Sequence, residues 1–267
     1  MQLRQLIRGT LSWDRLEIVA REVAQRYDRP VVRVTFLEAD NWLSTPCVMD
    51  EDWFVKIVSP RNALVHALFT GARNVGAVTS GSDGFFERSE GPVEMARHEL
   101  EATRRMIDVG VNAPEPIEAF EVDGLGVVVM EYLNDFTTLN DLPADVVEDY
   151  TDDVFASLST MHENDLAHGD LREENVLVRD EQLYFIDATN VDEDGTEDAR
   201  AYDVASALAA LEPHVGAGAV VDAAARHYSP AELQEATNFL AFVNLRPDHD
   251  FDAGAVREAV ASLSDDG

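Results

Sequence analysis

Asp170 and Asn175 stand five residues apart in AHGDLREENVLV, and Asp187 follows in LYFIDATN at the end of a short strand-like run. One carboxylate can orient or deprotonate an acceptor hydroxyl, while an amide and a second carboxylate can hold the metal ions that bridge phosphates. Phosphoryl transfer from Mg-ATP needs that inventory. In a chain this rich in aspartate, His168-Gly169-Asp170 could instead be a plain turn and Asp187 a strand-end cap. The coincidence of loop, strand, Asn offset and apolar Ile186 favours the catalytic reading.

Two residues of the first half bear on the same chemistry. Lys56 lies in WFVKIV, an otherwise apolar run, and is the only lysine beside nineteen arginines. A compact ammonium on a flexible stem suits an α/β-phosphate contact, for which the wider guanidinium is no free substitute. The plainer alternative is a lysine snorkelling from an edge strand. In the helix expected over 92–109, the apolar stripe is Met95, Ala102, Met106 and Val109, and Glu99 falls on it. Glu101 groups with Glu94, Arg97, Arg105 and Asp108 on the polar face. An inward carboxylate is costly unless paired, and Lys56 is the natural cation. The alternative for Glu99 is a helix edge reaching solvent.

The elements that must position these residues follow from periodicity. A helix is expected from Ser12 to Tyr27, stopped by Asp28-Arg29-Pro30, then strands over 31–38, 45–50 and 52–58 as an antiparallel meander. A helical stretch near 61–72 and a Gly/Ser-rich loop precede the helix that Pro92 starts. Strands 117–122 and 125–131 share the turn Asp123-Gly124. Beyond Pro143 the pattern is helical, first through Val147, Tyr150, Val154, Leu158 and Met161. Small strands at 176–178 and 183–186 interrupt it, and helices near 198–211, 218–227, 230–243 and 252–263 finish it.

Composition bounds the rest. Fifty-two acidic against 20 basic residues leave a net charge of −32, with the acids spread along the whole chain. A lysine-poor acidic surface suits molar salt, where screening shortens to ~3 Å, and points to a halophile. No basic stripe offers electrostatic attraction to nucleic acid. No apolar run nears the ~18 residues of a membrane span. The opening MQLRQLIRGT lacks a cleavable apolar leader, and Cys47 is a lone cysteine, so a cytoplasmic address is expected. The seven histidines show no zinc-ligand spacing, and Gly124-Leu125-Gly126 is a hairpin turn with no helix behind it to make a dinucleotide loop. His162, after Met161 at the end of a long helix, is expected to support the catalytic loop.

FVKIV, HELEATRRMIDVGVNAPEPI, VVVMEYL, LAHGDLREENVLV and LYFIDATNVDEDGTEDARAYDV together resemble the RIO family of atypical protein kinases. They are also similar to the small archaeal kinase of the KEOPS tRNA-modification assembly. The resemblance spans about residues 31–211. It implies an α+β, two-lobed protein-kinase-like fold, with an antiparallel-sheet N-lobe carrying one main helix and a compact helical C-lobe lacking the large peptide-binding subdomain. The expected boundaries are an N-terminal helical extension (1–30), the N-lobe (31–132) and the C-lobe (133–267). By the resemblance Lys56 contacts ATP phosphates and pairs with Glu99, Asp170 is catalytic, and Asn175 and Asp187 bind Mg2+. Glu131 and Leu133 offer hinge backbone groups to adenine beside Met130, with Leu177 under the ring. Work in ribosome or tRNA maturation, on a protein or small-molecule acceptor, is likewise implied only by resemblance.

The chain departs from the family pattern in places. LEADNWLSTPCVM stands where a glycine-rich loop belongs, keeping only Glu38, Ala39 and Asn41 in loose register. No arginine precedes Asp170, and Ala188-Thr189 follow Asp187. Two other readings remain: a small-molecule phosphotransferase resembling aminoglycoside or choline kinases, which share His-Gly-Asp and an Ala201–Ala205-like segment, and a nucleotide-gated binding module.

Overall fold

The computed structural model describes residues 11–37, 44–60, 91–188, 196–244 and 251–263. The helix expected near 61–72, the Gly/Ser-rich loop after it and the Glu38, Ala39 and Asn41 positions lie outside those residues. The chain divides into two units. One comprises the described residues within 1–71, 88–104 and 114–134, the other those within 72–87, 105–113 and 135–267.

The first unit is built on a five-stranded antiparallel sheet of β1 (Val34–Phe36), β2 (Thr45–Met49), β3 (Trp53–Val58), β4 (Pro116–Val122) and β5 (Leu125–Glu131), in the order β1-β2-β3-β5-β4. Its strands alternate between two apolar faces. Cys47, Met49, Val55, Ile57, Val127 and Val129 face helix α1 (Trp13–Arg26), which buries Leu16, Val19 and Val23 against them. Each such side chain contributes about 1.5–3 kcal/mol relative to exposure. Val128 and Met130 face the other way and pack on Ala96 and Leu100 of α2 (Pro92–Asp108), a helix whose residues 92–104 belong to this unit.

α1 is also stapled by charge. Arg26 donates to Glu118 at 2.8 Å, Tyr27 donates its hydroxyl to the same carboxylate at 2.9 Å, and Arg15 pairs with Asp123. Burial, together with the Glu118 contact, pushes the Tyr27 phenol well above its ordinary range. Ser12 stands at the N-cap with extended backbone but makes no side-chain cap bond. β1 is shorter than the run 31–38 suggests, covering only the three residues that pair with Cys47, Val48 and Met49.

Gly126 fixes where α2 begins. A Cβ there would lie 1.9 Å from the Pro92 carbonyl oxygen and 2.8 Å from the Val93 nitrogen, so backbone, not a yielding side chain, occupies the space. Gly126→Ala is therefore expected to push the first turn of α2 off the sheet and destabilise the protein by about 1–3 kcal/mol, the usual cost of overpacking. A thermal melt in molar KCl reads this directly. An unchanged midpoint would show that the helix start is not pinned at this contact.

The second unit is mainly helical. A small sheet of β6 (Thr137–Thr138), β7 (Val176–Arg179) and β8 (Gln182–Phe185) carries the loop between Leu166 and Val176. Around it stand α3 (Ala144–Glu163), α4 (Thr196–Val215), α5 (Ala217–Ala224), α6 (Pro230–Ala236), α7 (Leu240–Val243) and α8 (Ala253–Leu263). α4 is apolar on nearly every face, with Ala199, Tyr202, Val204, Ala205, Leu208 and Leu211 buried, and forms the unit's central post. α6 starts with a full capping box, Ser229 accepting from the Glu232 amide and Glu232 accepting from the Ser229 amide. The single helix expected over 230–243 is instead two, separated at Thr237–Phe239.

Candidate active site

Lys56 owes its orientation to strand register. It sits opposite Val128 of β5, and cross-strand partners share a face, so its side chain points to the α2 side of the sheet. There its ammonium donates to Glu99 Oε1 at 2.9 Å, the two side chains being 9% and 12% exposed. Glu99 is held two turns into α2, where Ala96 and Leu100 flank it in the buried cluster. The helical stripe differs in detail from expectation: Ala96, Leu100, Ala102, Thr103 and Met106 are buried and Met95 is partly exposed.

Such a pair is asymmetric in energy, because removing one partner strands a desolvated charge. Glu99→Ala is expected to cost about 3 kcal/mol. Lys56→Met combined with Glu99→Leu should recover most of that, since replacing both partners by apolar groups removes the stranded charge. Denaturation of the three variants tests the point, and a double variant no more stable than Glu99→Ala would contradict it.

In the second unit the loop before β7 is tied down from below by Asp203 of α4. This fully buried carboxylate accepts from the amides of His168 at 2.6 Å and Gly169 at 2.8 Å. His162 Nε2 lies 3.3 Å from the same group, and Tyr228 contacts His162 Nδ1 at 2.9 Å. With Asp203 able only to accept, His162 donates from Nε2 to it and accepts at Nδ1 the hydrogen bond that the Tyr228 hydroxyl donates. Burial first, with the Asp203 charge adding to it, raises the Tyr228 phenol far above its normal range. Gly169 takes φ +76°, a conformation glycine adopts freely, as the chain turns into Asp170.

His168 joins the loop to the strand behind it. The imidazole is fully buried, and burial drives its pKa below the ordinary value against the opposing pull of Asp203, Asp170 and Asp187. Its Nδ1 accepts the Asp170 amide at 3.4 Å, and its ring meets that of Phe185 edge-on. Asn175 closes the loop: its Nδ2 donates to the Asp170 carbonyl at 2.8 Å, and its own carbonyl accepts from the Ile186 amide at 3.0 Å. Asp187 itself takes φ +61°, a left-handed conformation that aspartate adopts more readily than most non-glycine residues. Asp170, Asn175 and Asp187 are thus bound into one constellation through their backbones.

The donor set suits a hard cation. With Nδ2 of Asn175 committed to Asp170, its Oδ1 is the atom left to ligate, and with the Asp187 carboxylate it would offer oxygen ligands of the kind a hard cation such as Mg2+ takes. Among the described residues no three His, Cys, Asp or Glu side chains gather as a metal site. Glu131 is exposed, with its amide donating to the Glu115 carbonyl at 2.9 Å. Leu133 is buried in the first unit and Leu177 in the second. Asp203, Tyr228 and Arg172 are the parts of the site that the residue pattern alone did not single out.

The fold is two-lobed and α+β, of the protein-kinase kind, and it is shared with the Chaetomium thermophilum Rio2 kinase in its ADP/Mg2+-phosphoaspartate complex. That structure matches with a TM-score of 0.50 and 16% identity, over 96% of this chain and 78% of the other. Within that class, residues 86–204 match the family model of the RIO domain. The KEOPS complex subunit Bud32 of Pyrococcus abyssi is 31% identical over 123 residues, which are 45% of this chain and 54% of that protein. This chain therefore spans about half the length of the curated relative it matches. The Mycobacterium tuberculosis PknI kinase domain also aligns, with a TM-score of 0.38 and 14% identity over 84% of this chain and 90% of its own.

Proposed function

We propose that the protein is a Mg-ATP-dependent phosphotransferase of RIO type, acting as a serine/threonine protein kinase or ATPase. The observation that carries this reading is the locked loop in which one buried carboxylate, Asp203, holds the backbone leading to Asp170 while Asn175 and Ile186 tie that loop to Asp187. In this reading Asp170 orients and deprotonates the acceptor hydroxyl. Lys56, kept in place by Glu99, contacts the ATP phosphates. Asn175 and Asp187 hold Mg2+, which neutralises phosphate charge when bound. Glu131 and Leu133 present hinge backbone groups to adenine, and Leu177 lies under its ring.

The lobes are taken as 31–132 and 133–267, with residues 1–30 an N-terminal extension that caps the first. The acidic, lysine-poor composition supports a halophilic protein and the lone cysteine a cytoplasmic one, and no helix among the described residues is long and apolar enough to cross a membrane. Similarity to a subunit of the KEOPS complex supports a place in an assembly of that kind, and work in ribosome or tRNA maturation rests on the family resemblance alone. Calorimetry with Mg-ATP in molar KCl tests the donor site. Saturable binding to the wild type, weakened at least ~10-fold by Lys56→Ala, is expected from the loss of a phosphate-contacting cation. No binding, or binding indifferent to Lys56, would remove the reading.

A further inference from the structure

We propose that His214 is a positioning residue of the catalytic loop: from the end of α4 it holds Glu173, and through Glu173 the turn that delivers Asn175. This rests on the phosphotransferase reading above, in which Asn175 is a Mg2+ ligand, and it gives that ligand a support from outside the loop. His214 touches no reacting atom. Metal ligands are oriented by partners of their own, and losing such a partner costs metal affinity even while the ligand itself remains.

α4 grips the loop at two points. Asp203 takes the incoming amides of His168 and Gly169, and His214 Nε2 lies 3.0 Å from Glu173 Oε2 on the outgoing side. The two grips stand eleven residues apart, just over three helical turns, so they share one face of α4. Between them on that face come Ala207, Ala210 and Leu211, which with Leu171, Glu173 and Val176 help to line a small apolar cavity between helix and loop. Two alanines give the loop little to rest on, so its height above the helix is set by the polar contacts at either end.

The contact is directional. An ionised carboxylate only accepts, so His214 donates from Nε2, and it does so whether its ring is neutral or charged. The end of α4 is itself anchored: the Gly216 amide closes on the Glu212 carbonyl at 2.8 Å, Gly216 takes φ +82°, and Glu212 Oε2 accepts the Asp252 amide at 3.1 Å. On the loop side Glu173 opens the 3-10 turn Glu173–Asn175, in which the Asn175 amide donates to the Arg172 carbonyl at 2.9 Å. Glu174 is no substitute, because it is exposed and paired with Arg172. The His214 and Glu173 side chains are 18% and 20% exposed. A pair that close to solvent adds little to global stability, and its worth lies in the geometry it imposes on the turn.

The test is steady-state ATP turnover in molar KCl, titrated with Mg2+, for the wild type, His214→Ala, His214→Gln, Glu173→Ala and the double variant His214→Ala/Glu173→Ala, with a thermal melt of each. Glutamine places an amide donor close to the position of Nε2 and should restore the contact. His214→Ala is expected to need ~10-fold more Mg2+ for half-maximal rate, with KM for ATP at saturating Mg2+ within ~3-fold of the wild type and the melting midpoint within ~4 °C. His214→Gln should return to within ~3-fold of the wild-type Mg2+ requirement, and the double variant should be no worse than Glu173→Ala alone. An unchanged Mg2+ requirement in His214→Ala overturns the proposal. So do losses that multiply in the double variant, because His214 would then not act through Glu173. A wild type with no magnesium-dependent turnover would be a failure of the phosphotransferase reading itself, and would take this proposal with it.

Discussion

Asp170→Asn is expected to bind Mg-ATP as the wild type does and to turn it over ~100- to 10,000-fold more slowly, the range for losing a positioned general base. The substitution keeps the size of the side chain and leaves the Asp170 carbonyl on Asn175 Nδ2, so the loop is retained. What is lost is the group that accepts the acceptor's proton in the transition state. The effect should therefore fall on kcat, with KM for ATP little changed, which is the signature of an interaction made only in the transition state. Equal turnover by the two proteins would remove Asp170 from its role and favour a nucleotide-gated binding module.

The largest effect on stability should come from Asp203→Ala. The residue has no exposed surface and accepts from two backbone amides and one imidazole, all buried. Its removal strands three donors in an apolar interior, each costing about 1–3 kcal/mol if no water replaces the carboxylate, so a loss of about 3–5 kcal/mol is expected. For a protein of this size that lowers the melting temperature by on the order of 10 °C. Asp203→Asn should fall between the two, because one amide oxygen still accepts while the amide nitrogen faces donors. Melting of Asp203→Ala within about 2 °C of the wild type would mean the loop does not depend on this carboxylate.

Local chemistry made part of this site readable from residues alone. Lys56 stood out because it is a charge in an apolar strand and the chain's only lysine, and Glu99 because helical spacing put a carboxylate on an apolar stripe. The Asp123-Gly124 turn and the apolar run from Leu125 to Met130 similarly define the hairpin whose second strand places Val128 opposite Lys56. Asp203 gave no such signal, since one aspartate in a helix of an acidic chain reads as surface until tertiary packing buries it. Tyr228 is 66 residues from its partner His162, beyond the reach of any local pattern. α4 runs to Val215, past Pro213, where the expected helix stops at 211. A proline so close to the C-terminus removes one helical hydrogen bond without ending the packing of the helix.

The central claim is that this loop transfers the γ-phosphoryl group of Mg-ATP. The measurement that meets it most directly follows γ-labelled ATP with the wild-type protein in molar KCl, with magnesium and again with a chelator in excess. The account predicts release or transfer of label that saturates with ATP and stops when magnesium is removed. Intact ATP at saturating nucleotide and magnesium, or label release that persists under chelation, would contradict it.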